Sequence, residues 1–283
     1  MSVKIVTDST CDLPAEAVAE LGITVVPLYI NVGQESFLDG IDMSRQEFYE
    51  RLPDFDDHPQ TASPGPEMFR DTYETLSAGG ADEILSIHIA ESLSGTLNTA
   101  QLAADATDRV PVTVLDSGQL SMGTGFLVAA AARAAEAGRS LAEIIDVVKE
   151  MGRRTHLFAG LDTLEFLQRS GRMSWAVSRI GTLLRIKPLL TMHGGEPHVE
   201  KVRTDRRAVQ KLLDKLVSLA PLEELALVHT NAPEKLNELR ERARHLFPPG
   251  KEPVEVDVTP VIGTHIGPGA AGFACVSAGQ RKG

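Results

Sequence analysis

Short apolar runs alternate with segments of helical period along the first half of this chain, and that alternation limits the fold more than any other feature. "VKIVTDST" is an apolar run ending in hydroxyls and an aspartate. "PAEAVAELG" after it reads as a helix, with Pro14 in its first turn and Gly22 past its end. "ITVVPLYINV" predicts a second strand and "MSRQEFYERL" a second helix, capped by Ser44 with Glu47 three residues on. "DFDDHPQTASPGP" reads as a long loop, because each proline biases the residue before it away from helix. Helix "EMFRDTYETLSAGG", buried strand "ADEILSIHIA", helix "TLNTAQLAADA" and strand "VPVTVLDS" follow. "SMGTGFLVAAAARAAEAG" is a helix so rich in Ala and Gly that it must pack closely against its neighbours. Strands separated by helices predict an α/β fold with a mostly parallel sheet covered on both faces.

The pattern changes near residue 150. "LAEIIDVVKEMGRR" reads as an amphipathic connecting helix, "THLFAGL" as a strand, and "TLEFLQRSGRMSWAVSRIGTLL" as two helices broken at Gly171. "KPLLTMHGGEPHVEKVRT" predicts a hairpin, since two glycines tolerate the positive φ of a tight turn. "RRAVQKLLDKLVSLA", "ELALVHT", "PEKLNELRERARHLF" and "VEVDVTPVIG" then give helix, strand, helix, strand. With 283 residues, the chain is long enough for two cores. The expected division is an N-terminal α/β domain over 1–152 and a C-terminal α/β domain with a mixed sheet over 153–283.

A net charge of −11 argues against nucleic-acid binding, which needs clustered cations against phosphates. The charge is uneven. Residues 169–211 hold ten basic side chains against three acidic ones, so the segment reads either as a solvated face or as a docking surface for an acidic or phosphate-bearing partner. Two cysteines, Cys11 and Cys275, supply neither a disulfide framework nor zinc spacing, and His193 with His198 across the hairpin turn makes a poor metal site, so no metal is expected. The N-terminal "MSVKIVTDST" resembles neither a signal nor a transit peptide, and no apolar run spans a membrane, which together point to the cytoplasm.

Hydroxyls gather where the predicted strands end: "TDST" at 7–10, "TAS" at 61–63, "SLSGT" at 92–96 and "DSGQLS" at 116–121. Each alone reads as helix capping; together they read as an anion crevice at the carboxyl ends of the strands. A serine hydrolase would need a G-x-S-x-G elbow, and "SLSGT" lacks the first glycine. His265, among Gly263, Gly267, Gly269 and Gly272 on an expected apolar strand, reads as a core histidine or as a donor to the same anion.

"VTDSTCDLP", "TASP", "SLSGT", "VLDSGQLSMGTG", "FLQRSGRMSW", "KPLL", "KVRT" and "THIGPGA" occur in the order found in the DegV family, and the chain resembles that family over nearly its whole length. Cys11 stands where a small polar residue is common. The resemblance implies two α/β domains with a long-chain fatty acid in a tunnel between them, no further cofactor, and no catalysis by this chain itself. It also implies a separate ATP-dependent fatty acid kinase subunit that phosphorylates the presented carboxylate. By the same resemblance, Thr61, Ser94 and His265 hold the carboxylate, Ser63, Gly95 and Thr96 support them, and Arg169, Arg172 and Arg203 face the mouth or the partner. Trp175, Val177, Ile180, Leu183 and Leu184 have helical spacing that suits either a tunnel wall or ordinary core. Two alternatives stay open: a serine-dependent acyl hydrolase using Ser94 and His265, and a lipid-independent interaction protein using the basic segment.

Overall fold

The computed structural model describes residues 2–173 and 186–279. Trp175, Val177, Ile180, Leu183 and Leu184, together with Arg179 and Arg185 of the basic segment, lie outside the described residues. The fold is α/β, as the alternation predicts. Strands β1 (Val3–Asp8), β2 (Thr24–Val26), β6 (Glu83–His88) and β7 (Val112–Asp116) form a wholly parallel sheet in the order β2-β1-β6-β7.

Successive side chains of a strand point to opposite faces, and here the two faces meet different helices. Val6 and Ile84 pack with Phe69 and Tyr73 of α3 (Pro66–Ala78) and with Ala100 and Ala103 of α4 (Thr96–Asp105). Ile5, Leu85 and Ile87 pack with α5 (Met122–Glu136), which also touches the second large sheet. That position explains its composition. A helix wedged between two sheets must be apolar all round and thin, and a Cβ on Gly125 would come within 2.6 Å of Cys11 O.

The second sheet joins β8 (Thr155–Gly160), β9 (Lys187–His193), β10 (Glu196–Val202), β11 (Leu222–His229), β12 (Val254–Asp257) and β13 (Ala271–Ser277) in the order β10-β9-β8-β13-β11-β12. It is mixed: only β11 and β12 run parallel, and β9 with β10 forms the expected hairpin. Its outer core packs against α8 (Asp205–Leu219) and α9 (Pro233–Ala243). A small antiparallel sheet of β4 (Glu35–Leu38), β3 (Tyr29–Val32) and β5 (Gln60–Ala62) stands apart.

Several sequence expectations need correction. "ITVVPLYINV" is two strands in two sheets, β2 and β3, because Pro27 between them has no N–H to continue a ladder. The Asp- and Pro-rich loop contains strand β5, paired with β3 through Thr61 opposite Ile30. "VEVDVTPVIG" is strand only to Asp257. Pro260 then opens helix α10 (Pro260–Ile266), so His265 sits on a helix rather than an apolar strand. His193 and His198 do not face each other: His193 pairs with Glu196 and stacks on His156 with ring centroids 4.0 Å apart, while His198 pairs with Thr191. The capping expectation for α2 (Arg45–Arg51) holds, with Ser44 Oγ accepting from Glu47 N–H at 3.1 Å. No helix among the described residues is long and apolar enough to cross a membrane.

Candidate functional site

Two of the four hydroxyl clusters are consumed inside the protein. In "TDST", Thr10 hydrogen-bonds through its N–H and its hydroxyl to buried Asp8, and Ser9 Oγ accepts from Leu28 N–H at 3.2 Å. In "DSGQLS", Ser117 Oγ accepts from Gln119 N–H and lies 3.1 Å from Thr124 Oγ1. The other two clusters, "TAS" and "SLSGT", meet at a cleft whose walls come from both halves of the chain.

Buried Thr96 joins them. Its Oγ1 lies 2.9 Å from Ser63 Oγ and 2.8 Å from Ser94 Oγ, and its N–H donates to Ser94 Oγ at 3.3 Å. Ser94 therefore serves partly as a cap, one residue before the N-cap Gly95 of α4, and also lines the cleft. Thr61, on β5, and His265, on α10, are 204 residues apart in sequence, yet Thr61 Oγ1 and His265 Nε2 are 2.9 Å apart. Gly263 lets α10 settle this close: a Cβ there would lie 2.3 Å from the Tyr49 hydroxyl, which donates to Val258 O at 2.9 Å. Gly267 ends the helix at φ 74°, against the Phe166 ring.

The cleft is apolar apart from these groups and Arg172. Leu28, Ile89, Leu93, Leu120, Leu190 and Ile262 supply most of the remaining wall. Its free space is about 90 Å³. Ordinary ligand pockets begin at ~300 Å³, so the cleft as described is narrow.

The other nitrogen of His265, Nδ1, is buried with no hydrogen-bond partner among the described residues. Such a group costs about 1–3 kcal/mol of desolvation unless a ligand or water meets it. Burial, then the positive charges of Arg172 and His58, push the His265 imidazole down to about 3. The ring is therefore neutral at physiological pH, and a neutral imidazole carries one donor and one acceptor. Its ring signals are expected to stay unchanged in an NMR titration from pH 8 to pH 5. Because the folded value lies below the unfolded one, the stability linked to this group is complete above about 6.5 and is lost as pH falls toward 3.

Of the three arginines expected at the mouth, only Arg172 lines the cleft, half-buried and donating to Ser170 O at 2.9 Å. Arg169 is exposed and paired with Glu165 at 2.9 Å, and Arg203 is exposed. Lys187 pairs with Asp162 at 2.9 Å, so Asp162 and Glu165, both outside the segment, offset part of its formal excess. The hydrogen bond that a Ser94–His265 nucleophile pair would need is not formed: Ser94 Oγ bonds within its own turn, and His265 Nε2 bonds Thr61. An Asp8–His88–Ser86 chain does exist, at 2.9 and 2.7 Å, but all three residues are fully buried and Ser86 also bonds Tyr73 at 2.9 Å, leaving no approach for a substrate. Sequence reasoning missed this chain, whereas Thr10, in the "TDST" cluster it expected at a crevice, does line the cleft. Ser86 and His88 lie two apart in a buried strand, which puts both on one face and is the available signal.

Residues 2–278 match the family model described as "Uncharacterised protein, DegV family". The chain belongs to the DegV family. A DegV domain-containing protein of Streptomyces coelicolor is 38% identical over 281 residues, covering 97% of this chain and 98% of the relative. A solved DegV family protein from Thermus thermophilus, described by its fatty acid binding, aligns with a TM-score of 0.90 at 31% identity over 98% of this chain and 100% of its own. DegV from Bacillus subtilis, described as a fatty acid binding protein, aligns with a TM-score of 0.88 at 30% identity over 98% of this chain and 99% of its own. The DegV fold thus extends over nearly the whole chain, the cleft included.

Proposed function

We propose that this DegV protein binds a long-chain fatty acid, with the acyl chain in the apolar cleft and the carboxylate at Thr61, Ser94 and His265. The observation that carries the reading is the unpartnered, buried His265 Nδ1 beside the Thr61 hydroxyl, in a cleft whose wall is mostly apolar. The fatty-acid-binding descriptions of its solved relatives support it. Each buried methylene contributes about 0.8 kcal/mol, enough over a long chain to offset the opening of a narrow cleft. Hydroxyls and a neutral imidazole hold a carboxylate by hydrogen bonds without a full counter-charge, and Arg172 adds attraction at the rim.

The same reading takes 1–152 and 153–283 as two domains meeting at the cleft, places the protein in the cytoplasm, and requires no cofactor. It gives the chain no catalysis of its own. A separate kinase subunit transfers the γ-phosphoryl group of ATP to a carboxylate oxygen; the new P–O bond forms as the β–γ anhydride breaks and ADP leaves. Arg169 and Arg203, both exposed, are the cations this reading assigns to such a partner.

Native mass spectrometry of freshly purified protein tests the binding step, with denaturation to identify what is released. A stoichiometric fatty acid is the expected result. Protein that is empty and takes up none of a panel of added fatty acids overturns the reading. Ser94→Ala, which removes one hydroxyl, is expected to weaken uptake several-fold.

A further inference from the structure

Asp12 draws distant parts of the chain to one buried carboxylate. It follows the 3-10 turn Ser9–Cys11 in a left-handed conformation, φ 56° and ψ 15°, which is uncommon for a residue with a Cβ. Its Oδ1 accepts from Thr259 N–H at 2.9 Å and meets the Arg45 guanidinium at 3.1 Å; its Oδ2 accepts from the Ser121 hydroxyl at 2.5 Å. Ser121 is itself at φ 50°, so two uncommon backbone conformations are tied to each other. Thr259 caps α10, its Oγ1 accepting from Val261 N–H at 3.4 Å and donating to Asp39, while Arg45 also donates to Asp257 O.

These attachments surround the cleft without entering it. Thr10, two residues before Asp12, and Leu120, next to Ser121, are in its wall. Thr259 begins the short helix whose Val261, Ile262, His265 and Ile266 form another part of that wall. A displacement at Thr259 is carried along less than two turns of helix to the imidazole that meets Thr61. Stability alone does not call for a carboxylate here, because buried charge is costly and apolar replacements of buried ion pairs are often neutral or stabilising. Burial raises the Asp12 carboxyl to about 6, against the opposing pull of Arg45, Ser121 and Thr259 and with Asp39 adding to the rise. What the carboxylate supplies is direction, since it fixes three donors from three segments at once.

We propose that Asp12 is a positioning residue for head-group capture: it fixes the start of α10, and so the placement of His265 against Thr61, without touching the ligand. The inference rests on the carboxylate site proposed above. Asp12→Asn tests it, because an amide keeps the size but leaves a single oxygen to accept. The His265 ring resonances of the ligand-free protein are expected to move, and palmitate affinity to fall about 10-fold. Leu236→Ala, on the buried face of α9, is expected to lower the melting temperature while leaving both readouts unchanged. Ser121→Ala removes one donor and is expected to shift both in the same direction by less, which keeps the test decisive if Asp12→Asn fails to fold. Wild-type His265 resonances and wild-type palmitate affinity in the folded variants overturn the proposal. If the unaltered protein takes up no palmitate, the fatty-acid reading fails, and the His265 resonances alone decide whether Asp12 places the ring.

Discussion

His265→Ala is expected to weaken palmitate binding by about 10- to 100-fold, since a hydrogen bond to a charged group contributes about 1.5–3 kcal/mol. His265 meets Thr61 and brings a second, unpartnered nitrogen to the same buried place. Removing the ring takes away a donor to the carboxylate and leaves the Thr61 hydroxyl without this partner. The loss belongs to the head group, so the gain in affinity per added methylene should stay the same in the variant. Isothermal titration with fatty acids of increasing length measures both quantities. A variant that binds like the unaltered protein would remove His265 from the site, and a changed slope per methylene would place it along the acyl chain. His265→Gln, which keeps one donor, is expected to recover part of the affinity.

His88→Ala is expected to cost about 3–5 kcal/mol of folding stability, the loss typical when a buried carboxylate is left without its hydrogen-bonding partner. His88 Nδ1 bonds Asp8 at 2.9 Å, its Nε2 lies 2.7 Å from Ser86, and Asp8 also accepts from Ile89 N–H at 3.1 Å. Burial alone raises the Asp8 carboxyl, but His88, Thr10 and Ile89 together hold it below its ordinary value. Without His88 a charged carboxylate stays in the core beside an empty space. At about 2–4 °C per kcal/mol, the melting temperature is expected to drop by roughly 10 °C, which calorimetry reads directly. The depressed Asp8 value gives stability that is present above about 3.9 and is lost as pH falls through the folded value. A drop of only a degree or two would mean that Asp8 relaxes to solvent or is neutral in the fold.

Periodicity made the α/β layering legible, and α5 most clearly, since an Ala- and Gly-rich helix has few places to go except between two sheets. Ser44 and Glu47 were readable because capping is local. The division of "ITVVPLYINV" turned on which sheet edge each half meets, a tertiary choice marked in the sequence only by Pro27. Family motifs named Thr61, Ser94 and His265, and the structure places all three on one cleft. Their neighbours were harder to read. Asp8, Asp12, Ser121 and Thr259 look like ordinary turn and cap residues, and only long-range contact ties Asp8 to His88 and joins Asp12, Ser121 and Thr259 behind the cleft.

The 204-residue separation of Thr61 and His265 also orders events on the ribosome. At about 5–20 residues per second, some 10–40 s pass between synthesis of the first and synthesis of the second. Once Asp116 has been made the parallel sheet is complete in sequence, and Ile89 and Leu93, joined by Leu120, wait for the α10 residues that will cover them. A nascent chain that stops before His265 leaves that apolar wall half-built and exposed.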